Sequence, residues 1–340
     1  MSDILSVTKR DLCLSVGGEN LNISFDKGDD RFPDLTELIL KDYQVPIQKD
    51  GCHIRIVPYF HSYKYKWPSF FLEQFGFFCD SVEKRYPVNK MAGVLTRRSI
   101  SVLQYLDPAD ENVQQVFLWV DDPDTLAWAQ MGNDLYLYNS KCNSAFLFIK
   151  RRIRKSHIQG AIMNGIMFVL SNVLVYNKGI MLHGSAVQKE DQGWLFLGHS
   201  GAGKTTITRL LRPDFCFSDD GVIIKEDKGR IYAYVSPFNQ LKRQRHCDPR
   251  AVERGEIKGL FLLKKDMHIK FSPVRKNELM SVLVCWLIHF FKYMDMRTAH
   301  KAFLNARDLI SIIPSCRLHF TKSRKVWHEF HKLTREIGYE

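Results

Sequence analysis

The chain has 340 residues, 45% of them hydrophobic and 25% charged, the balance of an ordinary globular protein long enough for two domains. That balance excludes an intrinsically disordered tail, a collagen and a small disulfide scaffold. Lys and Arg outnumber Asp and Glu by 49 to 37, a net charge of +12, which admits nucleic acid, a membrane surface or a phosphate-rich ligand without choosing among them.

The charge is uneven. Residues 1–140 hold 14 basic and 20 acidic side chains, net −6, and residues 141–340 hold 35 and 17, net +18. Such an asymmetry predicts two domains with different tasks, divided near residue 150. The eight cysteines form no C-x-x-C pair and read as reduced, mostly buried thiols. The N-terminal MSDILSVTKR has no apolar stretch of a signal peptide. The apolar runs 161–176 and 281–291 are too short, or too interrupted by Asn164, Gly165 and Asn172, to span a bilayer. The expectation is a cytoplasmic protein without a membrane span.

Along the chain, 12–25 reads as two short strands around Gly17-Gly18, 32–41 as a helix and 53–58 as a strand. Residues 59–78 are crowded with aromatics beside Lys64 and Lys66, a core or partner surface before a base-stacking one. Segments 113–120, 134–138 and 145–149 read as strands. A long helix is expected over about 153–175, behind the basic residues Lys150, Arg151, Arg152, Arg154 and Lys155. Strand-like segments follow at 179–187 and 193–197, then a helix from Gly203, and strands at 222–225 and 231–235. The last third is expected to carry a strand at 259–263, helices at about 277–294 and 299–309, a strand at 317–320 and a basic tail helix. Strands dominate early and alternate with helices late, so an α+β N-terminal region precedes an α/β domain.

Residues 198–205, Gly-His-Ser-Gly-Ala-Gly-Lys-Thr, fit G-x-x-x-x-G-K-[ST], with an apolar run before them and an amphipathic TTITRLL after, as a phosphate-binding loop requires. Gly198, Gly201 and Gly203 let the backbone curl with its N–H groups inward, around Ser200 and Ala202, and the following helix adds its N-terminal partial charge. Lys204 can reach the β- and γ-phosphates, Thr205 can ligate Mg²⁺, and Thr206 opens the helix beside them.

A loop of this kind fixes only triphosphate binding. No separate run of four apolar residues ending in Asp stands out downstream. The doublet Asp219-Asp220 is the better candidate, because adjacent carboxylates near a triphosphate can divide metal binding and proton acceptance. A solvated turn is the alternative, and is the reading given to Asp121-Asp122. His183, on a strand expected to pair near the loop strand, is either a catalytic side chain or a satisfied core histidine.

Leu182-His183-Gly184, the 198–205 loop and Ser218-Asp219-Asp220 together resemble the catalytic core of HPr kinase/phosphorylase, whose fold ATP-type phosphoenolpyruvate carboxykinase shares. The stretch Glu256-Ile257-Lys258-Gly259 resembles that family's Glu-x-Arg-Gly, with Lys258 in place of an Arg, and Lys cannot make a bidentate fork on a phosphate. The whole chain is similar to the divergent HPr-kinase-like proteins of bacterial gene clusters for modified peptides, down to a Ser-Pro-Phe segment at Ser236-Pro237-Phe238. The resemblance is dense in motifs from about 150 to 265. It implies an α+β N-terminal domain (1–150) for substrate selection and a P-loop kinase domain (151–340). It also implies Mg²⁺-ATP-dependent phosphorylation of a hydroxyl, often a serine. Lys204 would serve the phosphates, Asp219, Asp220 and His183 the chemistry, and Thr205, Asp220 and Glu256 the metal.

The leading expectation is therefore an ATP-dependent kinase acting on a peptide, protein or small-molecule hydroxyl. Lys242, Arg243, Arg245, Arg250, Arg254 and Lys258 form either a phosphate-gripping loop or a solvated one. The alternatives are a non-catalytic nucleotide-binding regulatory module and, more remotely, a nucleic-acid-binding NTPase. A homo-oligomer is left open.

Overall fold

The computed structural model describes residues 11–26, 31–46, 50–59, 105–120, 122, 125–152, 154–211, 213–238, 252–286, 294–323 and 326–336. The aromatic segment beyond Tyr59 and the basic residues Lys242, Arg243, Arg245 and Arg250 lie outside them. The chain forms two compact units, one holding Glu19–Val173 and the other Leu174–Phe291 with His300–Glu340. The division falls inside a helix, where the sequence reading set it near residue 150.

In the first unit, strands β1 (Leu12–Val16), β2 (Glu19–Phe25), β3 (Gln44–Val45), β4 (Cys52–Tyr59), β5 (Leu126–Met131), β6 (Asp134–Asn139) and β7 (Ser144–Lys150) form a sheet ordered β3-β1-β2-β4-β7-β6-β5. Strand β4 pairs parallel with β2 and β7, and the meander β5-β6-β7 is antiparallel. Helix α1 (Arg31–Leu40) lies between β1-β2 and β3 in the chain.

Residues 113–120, expected as a strand, belong to helix α2 (Glu111–Val120). Val and aromatic content suggested β structure, but two other signals win. Asp110 Oδ1 accepts from the backbone N–H of Asn112 and Val113, an N-cap. Val113, Val116 and Trp119 are buried at helical spacing, while Leu118 is left exposed.

Helix α3 (Lys155–Tyr176) is 22 residues long and apolar enough, by length and composition, to cross a bilayer, contrary to the expectation from its interrupted sequence. Its apolar window is 72% buried within the protein, as in a core helix. The buried Tyr136 hydroxyl donates to its Ala161 carbonyl.

The second unit contains β8 (Gly179–His183), β9 (Ser185–Lys189), β10 (Gln192–Leu197), α4 (Lys204–Leu211), β11 (Phe215–Ser218), β12 (Gly221–Asp227), β13 (Arg230–Tyr234), β14 (Arg254–Lys265), β15 (Lys270–Pro273), α5 (Lys276–Trp286), β16 (Ser315–Phe320) and α7 (Val326–Glu336). Helix α6 (Met296–Ile312) precedes β16. The sheet runs β11-β9-β10-β14-β13-β12-β8, with β16 on β14 and β15 on β16. The architecture is mixed α/β, and the sheet curls. Strands β8 and β11 end the row, yet Gly184 alone joins β8 to β9, and Asp219-Asp220 alone join β11 to β12. The two sheet ends therefore meet at a seam, where the Gly184 N–H donates to the Asp220 carbonyl at 3.0 Å.

Strand β10 reads as a continuous apolar run because both faces are covered, as expected of a strand with a parallel neighbour. Trp194 and Phe196 face a core shared with Ile207 and Leu211 of α4, Phe261, Leu318, Phe320, Val326 and Phe330. Phe330 of α7 meets Trp194 edge-on at 5.4 Å and Phe261 at 5.1 Å between ring centroids, geometries favoured by the ring quadrupoles. This cluster fixes where β10 ends, and so where the Gly-rich loop begins. Cys13, Cys52, Cys216 and Cys316 are buried thiols and Cys142 is an exposed one, none of them in a disulfide.

Candidate functional site

The loop at 198–203 leaves the C-terminal end of β10 and enters α4 at Lys204. Strands β10, β14 and β16 are mutually parallel, and ligands of such sheets sit at the carboxyl ends of the strands. Gly201 and Gly203 have φ of +79° and +105°, conformations that L side chains rarely adopt. Gly203 is doubly constrained, since a Cβ there would lie 2.7 Å from the Phe320 ring. Replacing Gly203 with Ala is expected to cost about 1–3 kcal/mol in urea unfolding. Unchanged stability would mean that the loop does not rest on Phe320 in this way.

The loop is tied down from below. The Ala202 N–H donates to the His199 carbonyl at 2.9 Å and Ile207 N–H to the Gly203 carbonyl at 2.8 Å. Buried Thr208 bonds back to the Lys204 carbonyl and meets the buried Ser185 hydroxyl at 2.5 Å, fastening α4 to β9. Neither Ser185 nor Thr208 was singled out from the sequence, because their contact is made by folding rather than by spacing.

Lys204 is 7% exposed. Its ammonium donates to the Gly198 carbonyl at 2.8 Å and reaches the His199 carbonyl at 3.5 Å, so it is held inside the curl of the loop. Burial pushes its pKa down, and the negative charge of Asp220 acts against that shift. Asp220 thus lies within electrostatic reach of the loop lysine although 16 positions separate them.

The seam accounts for this. Antiparallel pairing sets Gly221 opposite His183, and Ser218 opposite Ala186. Gly184 sits against the end of β10, where a Cβ would fall 2.9 Å from Leu197 and 3.2 Å from the Phe196 carbonyl. The His-Gly pair and the Asp-Asp pair are thereby pressed against the strand that delivers the loop. His183 Nδ1 and Asp220 Oδ1 are 2.8 Å apart; the carboxylate only accepts, so Nδ1 carries the proton. Both side chains are about a quarter to a third exposed, whereas Asp219 is 2% exposed.

Ser236-Pro237-Phe238 lies behind the doublet. The Phe238 carbonyl accepts from Ser218 Oγ at 3.2 Å and from the Gly221 N–H at 3.1 Å, and the Ser236 N–H donates to the Phe217 carbonyl. Phe215–Ser218 is itself a strand, and Asp219 follows it directly. The sequence reading found no such strand, because Cys216 and Ser218 interrupt the aliphatic pattern.

The structure sets the 198–203 loop before Lys204, puts Asp220 within electrostatic reach of Lys204, and puts His183 against Asp220. It does not bring Glu256 to them. Ile257 aligns with Gly193 at the start of β10 and Leu262 with Leu197 at its end, which puts Glu256 about 20 Å from the loop along the strand. Its carboxylate pairs with Lys258 at 2.8 Å and Arg230 at 3.5 Å. Arg254, expected in the basic loop, pairs with Asp227 and stacks over Tyr232 at 4.4 Å.

Among the described residues no group of three or more His, Cys, Asp or Glu converges on a metal-holding cluster. A Mg²⁺ ion held by one or two carboxylates and completed by substrate phosphates needs none.

No family model and no curated protein matches the chain. The HPr(Ser) kinase/phosphatase from Coxiella burnetii is a structural match at TM-score 0.26 and 12% identity, over 46% of this chain and 95% of that one. Likeness at that level assigns neither an activity nor a substrate.

Proposed function

We propose that the chain is a cytoplasmic, ATP-dependent phosphotransferase of HPr-kinase-like type, moving the γ-phosphate of Mg²⁺-ATP to a hydroxyl, with a serine of a peptide or protein as the leading acceptor class and a small molecule as the other. What supports this reading is that Asp220, held by His183 at 2.8 Å, lies near enough to the loop lysine for its charge to act on it. An anion cradle and a carboxylate at one place are what in-line phosphoryl transfer requires, since the reaction depends on positioning and charge neutralisation.

In this reading the backbone N–H groups of 198–203 and the Lys204 ammonium hold the β- and γ-phosphates. Thr205 and Asp220 would hold a Mg²⁺ ion, which would supply charge neutralisation on the phosphate oxygens. The doublet also takes the acceptor's proton, with His183 orienting the Asp220 carboxylate through its Nδ1–H. The partly exposed Asp220 can reach an incoming hydroxyl, while buried Asp219 shapes the floor of the site.

Incubating the full chain with γ-labelled ATP, Mg²⁺ and a serine-containing peptide library tests the reading. Labelled peptide is expected from the wild type and none from Asp219→Asn/Asp220→Asn. Transfer that survives the loss of both carboxylates sinks the mechanism.

A further inference from the structure

A second group of chemically active side chains lies on the same sheet, outside the loop site. Strand β15 pairs antiparallel with β16, setting Lys270 opposite His319 and Ser272 opposite Arg317. Alternation puts Lys270, Ser272, Arg317 and His319 on one face, while Phe271 and Leu318 go to the aromatic core. On that face His319 Nε2 lies 2.9 Å from Ser272 Oγ, and His319 Nδ1 lies 2.8 Å from Asp266 Oδ2.

The protons follow from the chemistry. Asp266 is an acceptor, so Nδ1 carries the hydrogen and Nε2 presents its lone pair to the serine hydroxyl. Asp266 is fixed in turn, because its Oδ1 accepts from the Met267 N–H at 2.7 Å and the His268 N–H at 3.4 Å. The His319 hydrogen bond, foremost, holds its carboxyl well below the usual carboxylate range. His319 is 7% exposed, which locks the imidazole, and Ser272 is half-buried. A carboxylate orienting a histidine that is bonded to a serine hydroxyl is the arrangement that makes serine a nucleophile, wherever in the sequence the three residues stand.

A cavity of about 330 Å³ opens nearby, lined by Val274, Lys276, Leu279, Ile310, Ile313 and Pro314, among others. That volume is within the range of small-molecule sites. Val274 of the cavity wall is two positions beyond Ser272, and Ser315 of that wall is two positions before Arg317, which stands opposite Ser272. The cavity wall is therefore about 7 Å along the strands from the serine.

We infer that Ser272, His319 and Asp266 form a nucleophilic triad that accepts the acyl group of an ester whose short apolar chain lies in the adjoining cavity. The Ser272 oxygen bonds to the ester carbonyl carbon while His319 Nε2 takes the hydroxyl proton. The carbonyl–alkoxy bond then breaks and the alcohol leaves with that proton. Water, deprotonated by the same nitrogen, releases the carboxylic acid and restores the serine. The step uses no nucleotide and does not rest on the phosphotransferase reading.

The test treats the full chain with a fluorophosphonate, which bonds to an activated serine through phosphorus and expels fluoride, and maps the adduct by peptide mass. One adduct on Ser272 is expected, absent in Ser272→Ala. His319→Gln and Asp266→Asn are expected to slow labelling by at least about a hundredfold, the scale of losing a general base. Wild-type hydrolysis of p-nitrophenyl butyrate is expected to disappear in Ser272→Ala. Circular dichroism and the unfolding midpoint of each variant separate chemistry from misfolding; Ser272→Ala removes one half-buried oxygen and is expected to fold. A folded wild type unlabelled at Ser272, or labelled there at a rate that Asp266→Asn leaves unchanged, overturns the inference.

Discussion

Asp220→Asn is expected to lower phosphoryl transfer by about 10²–10⁴-fold, the range for losing a positioned proton acceptor or its equivalent in metal binding. The substitution keeps the size and one acceptor oxygen, so the His183 Nδ1–H keeps a partner and the seam stays closed. What it removes is charge. Because Asp220 acts to keep Lys204 charged against burial, its loss lets the Lys204 pKa fall further. The ammonium is then lost at a lower pH, so phosphate binding in the variant is expected to weaken at lower pH than in the wild type. Initial rates and ATP affinity measured across pH for both proteins check the two statements together. A variant with wild-type rates would show that Asp220 is a turn residue, as its Asp-Asp-Gly setting also allows.

Phe330→Ala carries the largest expected cost in stability, about 3–5 kcal/mol by the range for large buried aromatics. The ring touches Trp194, Phe196, Phe261 and Phe271, with centroids 5.1–6.0 Å away. Trp194 and Phe196 belong to the strand that ends at the Gly-rich loop. Truncation is therefore expected to lower the denaturant midpoint and to weaken nucleotide binding, since Ala202 of the loop belongs to the same core cluster. A cost under about 1 kcal/mol would mean that α7 is not part of the second unit's core.

The loop itself was legible because its requirements are local: glycines at fixed spacing, an apolar strand before and a helix after. His183 and Asp219-Asp220 were legible only as motifs. What joins them is the pairing of Gly221 with His183 across a seam, and no spacing in the chain announces that the sheet curls until its ends meet. Glu256 shows the opposite effect. Its motif suggested a metal ligand, and the register of β14 on β10 carries it to the far end of the strand. Residues 113–120 were read by composition as β, when Asp110 and the 113-116-119 period were the stronger signals. Asp266, Ser272 and His319 gave no sequence signal. They are spread over 54 positions and meet only because β15 folds back on β16.

The central claim is that the loop at 198–205 binds a nucleotide triphosphate through Lys204. Calorimetric titration of ATP with Mg²⁺ into the full chain tests it most directly, without knowledge of the acceptor. One site is expected, with affinity at least about tenfold weaker in Lys204→Ala, a loss of roughly 1.4 kcal/mol or more. A folded wild type that binds no ATP, or a Lys204→Ala variant that binds it equally well, would contradict the account.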